Sequence, residues 1–393
     1  MASLNDFRFL ILDFGLNGVK SASRHVLCAG LLCAWVVIIG GSGCATVKKI
    51  ESAPKAWLPA ACKMTLATAR CEDGEVLVLR RYQNRNGGTK PGAVVLCHGI
   101  GENGNIFDLG NGNSLARHLA GEGLDVWVAD LRGCGLSGIG APYSGGKGGR
   151  PAADWQIEDY VAQDVPAILS AVRQASGAKK VVWVGHNLGA CIALAFAAAH
   201  PQEKDFSIVS VGASLEGQEP YPPVLADEAG SCRRFVEAPG RFPSLAAQPS
   251  ADVPQGWEAL FYNPAHMSAE MLEVMVRTAN ESVPPRVARE FVAMLRGGAL
   301  RSSDGRTNYA DEAKKITCPA YFICGKADNL ADTGAVRRLY QGVSSAEKDF
   351  RLFCLTNGDG ADFGNADLLA GPRASIDVYP EITRWAQKRL LAQ

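Results

Sequence analysis

An abrupt passage from strand to helix is the most restrictive feature of this sequence. Residues 181–201 are VVWVGHNLGACIALAFAAAHP. The β-branched and aromatic residues before the turn favour a buried strand, and the alanine-rich run after it favours a helix. Only Asn187, with Gly185 and Gly189 on either side, forms the turn between them. So tight a unit predicts a parallel sheet in which strands are followed by closely packed helices.

The rest of the chain repeats this alternation of apolar strands and helical patterns. We therefore expect an α/β fold with a mostly parallel sheet flanked by helices. The candidate strands are Glu75–Arg81, Ala93–His98, Asp125–Asp130, Lys180–Gly185, Ser207–Val211, Ala320–Cys324 and Phe350–Leu355. The candidate helices are Ser114–Ala120, Ile157–Ala175, Leu188–His200, Gly334–Val343 and Pro380–Leu391.

A long segment without a buried strand pattern interrupts the alternation between residues 216 and 311. It starts with the proline-rich loop EPYPPVLADEAG and continues with helical patterns such as SAEMLEVMVRTANE. A helical insertion late in the sheet predicts a cap over the carboxyl ends of the strands, where α/β sheets bind ligands. The expected organisation is a core formed by residues 61–215 and 312–393, with the cap at 216–311.

The first 44 residues have the pattern of an export signal. Basic residues precede the uncharged apolar run VLCAGLLCAWVVII, and the small residues GGSG lead to Cys44. This arrangement resembles the lipidation site of bacterial lipoproteins, and Ala45 after the cysteine favours the periplasmic side of the outer membrane. An uncleaved membrane anchor is the alternative, because about 18 apolar residues can span a bilayer. In both cases we expect an exported, membrane-anchored protein with residues 45–60 as a tether.

Charge and cysteine content limit the possible partners. The 40 Lys and Arg balance 40 Asp and Glu, which gives no reason to expect a nucleic-acid partner. Cys62 and Cys71 flank a short segment and are candidates for a disulfide after export. The Cys and His spacing does not predict a zinc site, and we expect neither a metal nor a cofactor.

Five segments, taken in order, resemble the α/β-hydrolase superfamily, in particular acid lipases of the gastric and lysosomal type and their bacterial relatives. They are VVLCHGIGENG, NSLARHLAGEGLDVWVADLRGCGLSG, DWQIEDYVAQDVPAILSAVRQASGAKKVVWVGHNLGA, CPAYFICGKADNLA and GNADLLAGPRASIDVYPEI. The resemblance implies an α/β-hydrolase fold and a lipase or esterase with a Ser–His–acid triad. It also implies that residues 185–189 form the nucleophile elbow, a strained turn that normally presents a serine.

The resemblance assigns Asn187 to the position of the nucleophilic serine. Asn tolerates the positive φ of an elbow better than most residues, so it preserves the turn. Its neutral amide is a poor nucleophile and cannot be acylated as serine is. Self-deamidation of Asn187 to aspartate is one alternative. The implied oxyanion-hole donors are the N–H groups of Ile100 and Leu188, and His98 is implied to be structural.

The resemblance places Asp328 at the position of the triad acid, with Asp332 as the nearby alternative. The position of the triad histidine is taken by Asn365, in GNADLLAG. No histidine follows His266, so the order Ser, Asp, His has no base at its end. With two of three triad members replaced, we predict a lipase-like pseudoenzyme that binds a small apolar or acyl ligand or a partner.

Two alternatives retain an active site. One is an active carboxylic-ester hydrolase with an unorthodox site, such as a serine at Ser137 or Ser144 paired with His266. Cys191, one helical turn past the elbow, favours a packing role instead. The other alternative is a dinucleotide site. The glycines of HGIGENG and Asp130 match its fingerprint, but the glycine- and asparagine-rich NIFDLGNGN follows where a helix should begin.

Overall fold

A single sheet organises the molecule. The computed structural model describes residues 62–85, 91–110, 112–138, 155–237 and 256–391. The strands are β1 (Cys62–Arg70), β2 (Val76–Asn84), β3 (Ala93–Cys97), β4 (Val126–Ala129), β5 (Val181–His186), β6 (Phe206–Val211), β7 (Ala320–Gly325) and β8 (Lys348–Phe353). Their order across the sheet is β1-β2-β4-β3-β5-β6-β7-β8.

Most of this sheet is parallel. β1 and β2 run antiparallel to their neighbours, whereas β3 to β8 pair with one another in parallel. Every residue of β3, β4, β5 and β7 is buried, because helices cover both faces of the sheet. This two-sided burial explains the continuous apolar runs in the sequence. The predicted α/β class with a mostly parallel sheet is confirmed.

Helices connect the parallel strands and line the sheet. In the described segments the α-helices are α1 (Leu115–Gly121), α2 (Ile157–Asp159), α3 (Val165–Ser176), α4 (Leu188–Ala199), α5 (Glu228–Glu237), α6 (Ala269–Thr278), α7 (Pro285–Leu295), α8 (Tyr309–Glu312), α9 (Thr333–Gly342), α10 (Asp367–Ala370), α11 (Ala374–Asp377) and α12 (Tyr379–Leu391). A π-helical turn, Tyr160–Asp164, joins α2 to α3. Helix α4 is buried from Leu188 to Ala198, which accounts for its alanine-rich composition, since small side chains allow close packing against β5 and β6.

Strand β1 corrects two expectations from the sequence. The segment CKMTLATAR was not predicted as a strand, yet it pairs with all nine residues of β2. Cys62 begins β1 and Cys71 follows its last residue, and both thiols are free and buried. Nine extended residues span about 30 Å, far more than a disulfide can bridge. The suggested Cys62–Cys71 disulfide is therefore wrong.

The segment assigned to the cap lies between β6 and β7 and contains α5 to α8. An aromatic cluster joins its parts. The ring of Phe235 packs edge-on against Trp257, Phe261 and Phe291, with centroids 5.5, 5.7 and 5.9 Å away. Edge-to-face packing of buried rings stabilises such an arrangement beyond the area that it buries.

The predictions about export and the membrane, and one candidate serine, concern residues that the structure does not describe. The leader at residues 1–44, the tether at 45–60, the lipidation site Cys44 and Ser144 all lie outside the described residues. Within the described segments, no helix combines the length and the apolar character needed to cross a bilayer.

Candidate active site

The turn at Asn187 has the backbone geometry of a nucleophile elbow. Its φ is 46° and its ψ is −115°, and it is the one non-glycine residue with positive φ in the described segments. A Cβ added at Gly185 would lie 2.4 Å from Ala190 N, and one added at Gly189 would lie 2.4 Å from Cys97 O. The flanking glycines therefore allow a strand-to-helix approach that no side chain permits.

The side-chain oxygen of Asn187 occupies the space between the two expected oxyanion-hole donors. Oδ1 accepts a hydrogen bond from Leu188 N at 2.8 Å and a longer one from Ile100 N at 3.5 Å. Leu188 is the first residue of α4, so its N–H has no acceptor within the helix. Folding thus brings the elbow to the loop after β3 and fills the hole with the protein's own amide.

Asp328 and Asn365 form a buried hydrogen-bonded pair. Asn365 Nδ2 donates to Asp328 Oδ2 at 2.7 Å and to Gly212 O at 2.8 Å. Asp328 Oδ1 accepts from the N–H groups of Leu330 and Ala331. Burial raises the pKa of Asp328 to about 7, against the opposing effect of these donors. The pair reproduces the contact of a triad histidine with its acid, with an amide N–H in place of the imidazole N–H.

Asp332, the alternative acid, has a different role. Its Oδ1 accepts from Gly334 N at 2.5 Å and from Ala335 N at 3.0 Å, so it caps the start of α9. Aspartate is among the preferred residues at this position of a helix. The structure therefore pairs Asn365 with Asp328 and leaves Asp332 as a capping residue.

A second buried pair lies beside the elbow. His186 Nδ1 is 2.8 Å from Glu102 Oε2, and the same oxygen accepts from Gly99 N at 2.9 Å. The other ring nitrogen, Nε2, is 3.2 Å from the main-chain oxygen of Asn365. Burial acts to lower the pKa of His186, but the Glu102 carboxylate, together with the Asn365 main-chain oxygen and Asp328, makes the net change upward. Both nitrogens face acceptors, which favours the imidazolium form.

Sequence reasoning missed this pair. Glu102 and His186 are 84 residues apart, and only the pairing of β3 with β5 brings them together. The one signal in the sequence is an acidic residue in the glycine-rich HGIGENG and a histidine next to the elbow. Burial acts to raise the pKa of Glu102, but His186, together with the Gly99 N–H and His98, makes the net change downward.

The cap holds the loop after β3 in place. Glu281 N donates to Gly101 O at 2.8 Å, and Asn103 N donates to Ala279 O at 2.7 Å. The side-chain Nδ2 of Asn103 also donates to Glu281 Oε1 at 2.9 Å. These bonds hold the loop after β3 against residues 279–281, and this loop carries Ile100, the expected oxyanion-hole donor.

Comparison with known proteins identifies the family of this chain. Residues 92–353 match the family described as alpha/beta hydrolase fold. The chain belongs to the α/β-hydrolase family. Tear acid lipase-like protein of Mesocricetus auratus is 23% identical over 338 residues, 76% of this chain and 84% of that protein. Lipase member K of Mus musculus is 34% identical over 137 residues, which cover 33% of this chain and 34% of that protein.

Solved structures of other α/β hydrolases share the fold. A thermophilic esterase from Thermogutta terrifontis matches with a TM-score of 0.53 and 16% identity, covering 84% of this chain and 99% of that one. The enol-lactonase from Burkholderia xenovorans LB400 matches with a TM-score of 0.53 and 16% identity, covering 83% and 100%. The predicted membership of the superfamily is confirmed, and at these identities the structural likeness concerns the fold alone.

Two other histidines of this α/β hydrolase have partners of their own. His98 Nε2 accepts from Leu131 N at 3.2 Å, and Nδ1 lies 3.0 Å from Gly99 O, which fixes one tautomer. Burial lowers the pKa of His98, so it stays neutral. His266 Nδ1 lies 3.3 Å from Asp367 Oδ2. Among the described residues, the structure therefore pairs His266 with a carboxylate, and Ser144 lies outside that part of the chain.

The alternative nucleophiles are also engaged elsewhere. Ser137 Oγ donates to Asp130 O at 2.7 Å and accepts from Val78 N at 2.8 Å. Cys191 Sγ contacts Ser214 O at 3.2 Å, and burial raises the pKa of this thiol to about 12. A nucleophilic thiol needs the opposite shift.

The structure offers little for a metal or a dinucleotide. In the described segments, no group of three or more His, Cys, Asp or Glu is placed to hold a metal ion. Asp130 Oδ1 accepts from Arg80 and from Gly104 N, and its Oδ2 accepts from Leu136 N. A dinucleotide site would need this carboxylate to bind a ribose hydroxyl, but internal donors already occupy both oxygens.

Proposed function

We propose that this protein is a lipase-like pseudoenzyme that keeps the frame of an ester hydrolase, has lost turnover, and binds a small apolar or acyl ligand or a partner. The observation that carries the proposal is the contact of Asn187 Oδ1 with Leu188 N and Ile100 N. A neutral amide replaces the group that should attack. The same amide fills the hole that should stabilise the tetrahedral intermediate.

The replacement of the base supports the same proposal. Asn365 donates an N–H to Asp328, as a histidine would, but an amide cannot take a proton from a nucleophile. Loss of the nucleophile or the base alone costs on the order of 10⁶ in kcat in a serine hydrolase. The oxyanion hole and binding alone still give about 10³–10⁴ over water. Here the hole is filled as well, so we expect no measurable turnover.

The class of ligand follows from the relatives and from the cap. Of the two relatives described above, one is named a lipase and the other a lipase-like protein, which supports a ligand with an acyl chain. The cap segment that carries Ala279 and Glu281 is hydrogen-bonded to the loop of the oxyanion hole, which supports a covered binding site over the sheet.

We also propose that residues 1–44 export the protein and anchor it in a membrane, with Cys44 as the lipidated residue. The apolar run and the small residues before Cys44 support this proposal. A tether of residues 45–60, if flexible, has a root-mean-square reach of about 20 Å. A protein held at that distance would be close to a source of acyl ligands.

An active carboxylic-ester hydrolase with an unorthodox site is the second candidate. The pair of Glu102 and His186 favours it, because a carboxylate that orients an imidazole is a common arrangement in general-base catalysis. In the structure His186 Nε2 contacts the main-chain oxygen of Asn365, so this contact would have to open to admit a water molecule. Activity by this route would depend on Glu102 and not on Asn187.

Hydrolysis of p-nitrophenyl esters of several chain lengths separates the two candidates. The purified full-length protein is compared with its Asn187→Ala and Glu102→Gln variants, each shown to be folded by circular dichroism. We expect all three to stay at the buffer rate. Turnover that falls in Glu102→Gln would establish the second candidate, and turnover that disappears in Asn187→Ala would overturn the proposed loss of activity.

Ligand binding needs a separate measurement. Native mass spectrometry and titration with fatty acids of increasing chain length should show one saturable ligand per chain. A protein that is folded but retains no lipid and gives no saturable signal would contradict the acyl-ligand part of the proposal, whatever the result of the ester assay.

A further inference from the structure

We infer that Asn187 is a site of self-modification, at which the main-chain nitrogen of Leu188 converts the Asn187 carboxamide into a carboxylate. By sequence alone Asn187 is a poor candidate for this reaction. A bulky leucine follows it, whereas the chain also contains unhindered Asn–Gly pairs such as Asn103–Gly104. Backbone conformation and contacts, not the neighbouring residue type, single out Asn187.

The torsion ψ of Asn187 turns the Leu188 nitrogen towards the Asn187 side chain. Attack on Cγ closes a five-membered ring, so the Cα–Cβ bond and the peptide C–N bond must be nearly eclipsed. Viewed along the Cα–C bond of an L-residue, Cβ and the backbone nitrogen are about 120° apart. The Cα–Cβ bond therefore eclipses the peptide C–N bond when ψ is about −120°. Asn187 has a ψ of −115°. Helix and strand values, about −42° and +135°, keep the two groups apart.

The side chain of Asn187 completes the arrangement. Leu188 N lies 2.8 Å from Oδ1 of the amide that it would attack, and at the first position of α4 it has no helical acceptor. Ala190 N and Cys191 N donate to the main-chain oxygen of Asn187, which holds the turn in this conformation. Ile100 N, the second donor to Oδ1, remains to stabilise the oxyanion that forms at Cγ.

The conversion balances with water as the only co-reactant. The Leu188 nitrogen forms a bond to Cγ, the Cγ–Nδ2 bond breaks, and the proton of the Leu188 N–H leaves with Nδ2 as ammonia. Water then attacks Cγ of the cyclic imide, the Cγ–N bond breaks, and a proton returns to the Leu188 nitrogen. The products are ammonia and a carboxylate at position 187. No group is oxidised or reduced.

The product carboxylate fits its surroundings better than the amide does. It keeps the N–H donors of Ile100 and Leu188, and a hydrogen bond to an ionised acceptor is stronger than one to a neutral acceptor. The negative charge would lie at the N-terminus of α4, a helix of 12 residues, where the helix dipole stabilises anions. Conversion is therefore favoured by the same features that once served an ester hydrolase.

Peptide mass mapping of the ageing protein tests the inference. The full-length protein is incubated in mildly alkaline buffer made with water enriched in heavy oxygen, once folded and once in denaturant. Asn103 is the matched internal control, because glycine follows it but its ψ is 176° and Gly104 N is held by Asp130 Oδ1. We expect the Asn187 peptide to take up heavy oxygen at least about tenfold faster in the folded sample than in the denatured one, since orientation is the source of the acceleration. The Asn103 peptide should show the reverse.

The Asn187→Gln variant controls for ring size, because its longer side chain cannot form the five-membered ring, and it should stay unmodified. Equal rates for Asn187 in folded and denatured protein would overturn the inference. So would a folded protein in which Asn103 is converted and Asn187 is not. Neither readout involves an ester or a bound lipid, so the inference and the proposed function fail independently of each other.

Discussion

Asn365 Nδ2 lies 2.7 Å from Asp328 Oδ2, and both side chains are almost fully buried. This bond joins the loop after β8 to the loop after β7. An imidazole N–H could make the same bond, so an amide at this position preserves the connection but supplies no base. Under the proposed function, the site keeps this connection without a catalytic base.

Restoring two side chains should restore hydrolysis. Asn187→Ser frees the oxyanion hole and supplies a hydroxyl, and Asn365→His supplies a base already oriented by Asp328. We expect the double variant to hydrolyse short p-nitrophenyl esters at least about 10³-fold faster than either single variant, because triad members act as a unit. Adding Asp328→Asn should abolish most of this gain, because loss of the triad acid costs about 10⁴ in kcat in a working triad. Equal rates in the single and double variants would contradict this prediction.

The buried carboxyl of Asp328 should make stability depend on pH. Burial raises its folded pKa to about 7, well above the unfolded value of about 3.9. The folded protein therefore holds the proton more tightly, so this contribution is complete below about pH 4 and is lost as the pH rises to about 7. As the pH rises across this range, the free energy of unfolding of the native chain, measured in urea, should fall relative to that of the Asp328→Asn variant. If the free energy of unfolding of the native chain instead rose with pH relative to that of the variant, a raised pKa of Asp328 would be ruled out.

The pair of His186 and Glu102 should titrate as a unit. The raised pKa of His186 adds stability below about pH 6.5 that is lost as the pH rises through the folded pKa. The lowered pKa of Glu102 adds stability above about pH 4.3 that is lost as the pH falls through its folded pKa. The pair is therefore most stabilising between these values.

Glu102→Gln tests the pair directly. Without the carboxylate, burial dominates, and the pKa of His186 should fall below its ordinary value in a histidine NMR titration. The variant should also lose about 3 kcal/mol of stability, the usual cost of removing one partner of a buried ion pair. His118, whose ring packs against Tyr379, is the control and should titrate as before. An unmoved His186 would show that the two residues are not coupled.

The elbow should not tolerate a side chain at Gly189. A Cβ there would lie 2.4 Å from Cys97 O and 2.5 Å from His98 O, and neither main-chain oxygen can move without displacing β3. We expect Gly189→Ala to cost about 3 kcal/mol or more in thermal unfolding. Gly342→Ala is the matched control, since its Cβ meets no atom within 4 Å and its effect should stay within about 1 kcal/mol.

The proposed anchor predicts a lipid on Cys44. In cells that express the full chain, the protein should incorporate labelled palmitate and should stay in the membrane fraction until detergent releases it. The Cys44→Ser variant should lose both the label and the association with the membrane. Label retained by that variant would exclude Cys44 as the site. Membrane retention without any label would favour an uncleaved apolar anchor instead.

The local sequence pattern was enough to predict most of the strands of the core. The predicted strand Lys180–Gly185 and the observed β5, Val181–His186, differ by one residue at each end, because a strand buried on both faces is a continuous apolar run. β1 escaped prediction because it lies at the edge of the sheet, where only Cys62 and Ala69 are buried, and its sequence has no continuous apolar run. An edge strand that is exposed over most of its length carries a weak signal until its partner is known.

The sequence by itself determined the fold, because strand patterns and motif order are local properties, and from its motifs it predicted that Asn187 and Asn365 stand at two triad positions. Only the tertiary structure decided that Asn187 Oδ1 lies between Leu188 N and Ile100 N. It also selected Asp328 over Asp332 and joined Glu102 to His186. Apart from the contact between the adjacent Asn187 and Leu188, these contacts join residues 37 to 87 positions apart, and their geometry is set by the pairing of strands, which no local pattern contains.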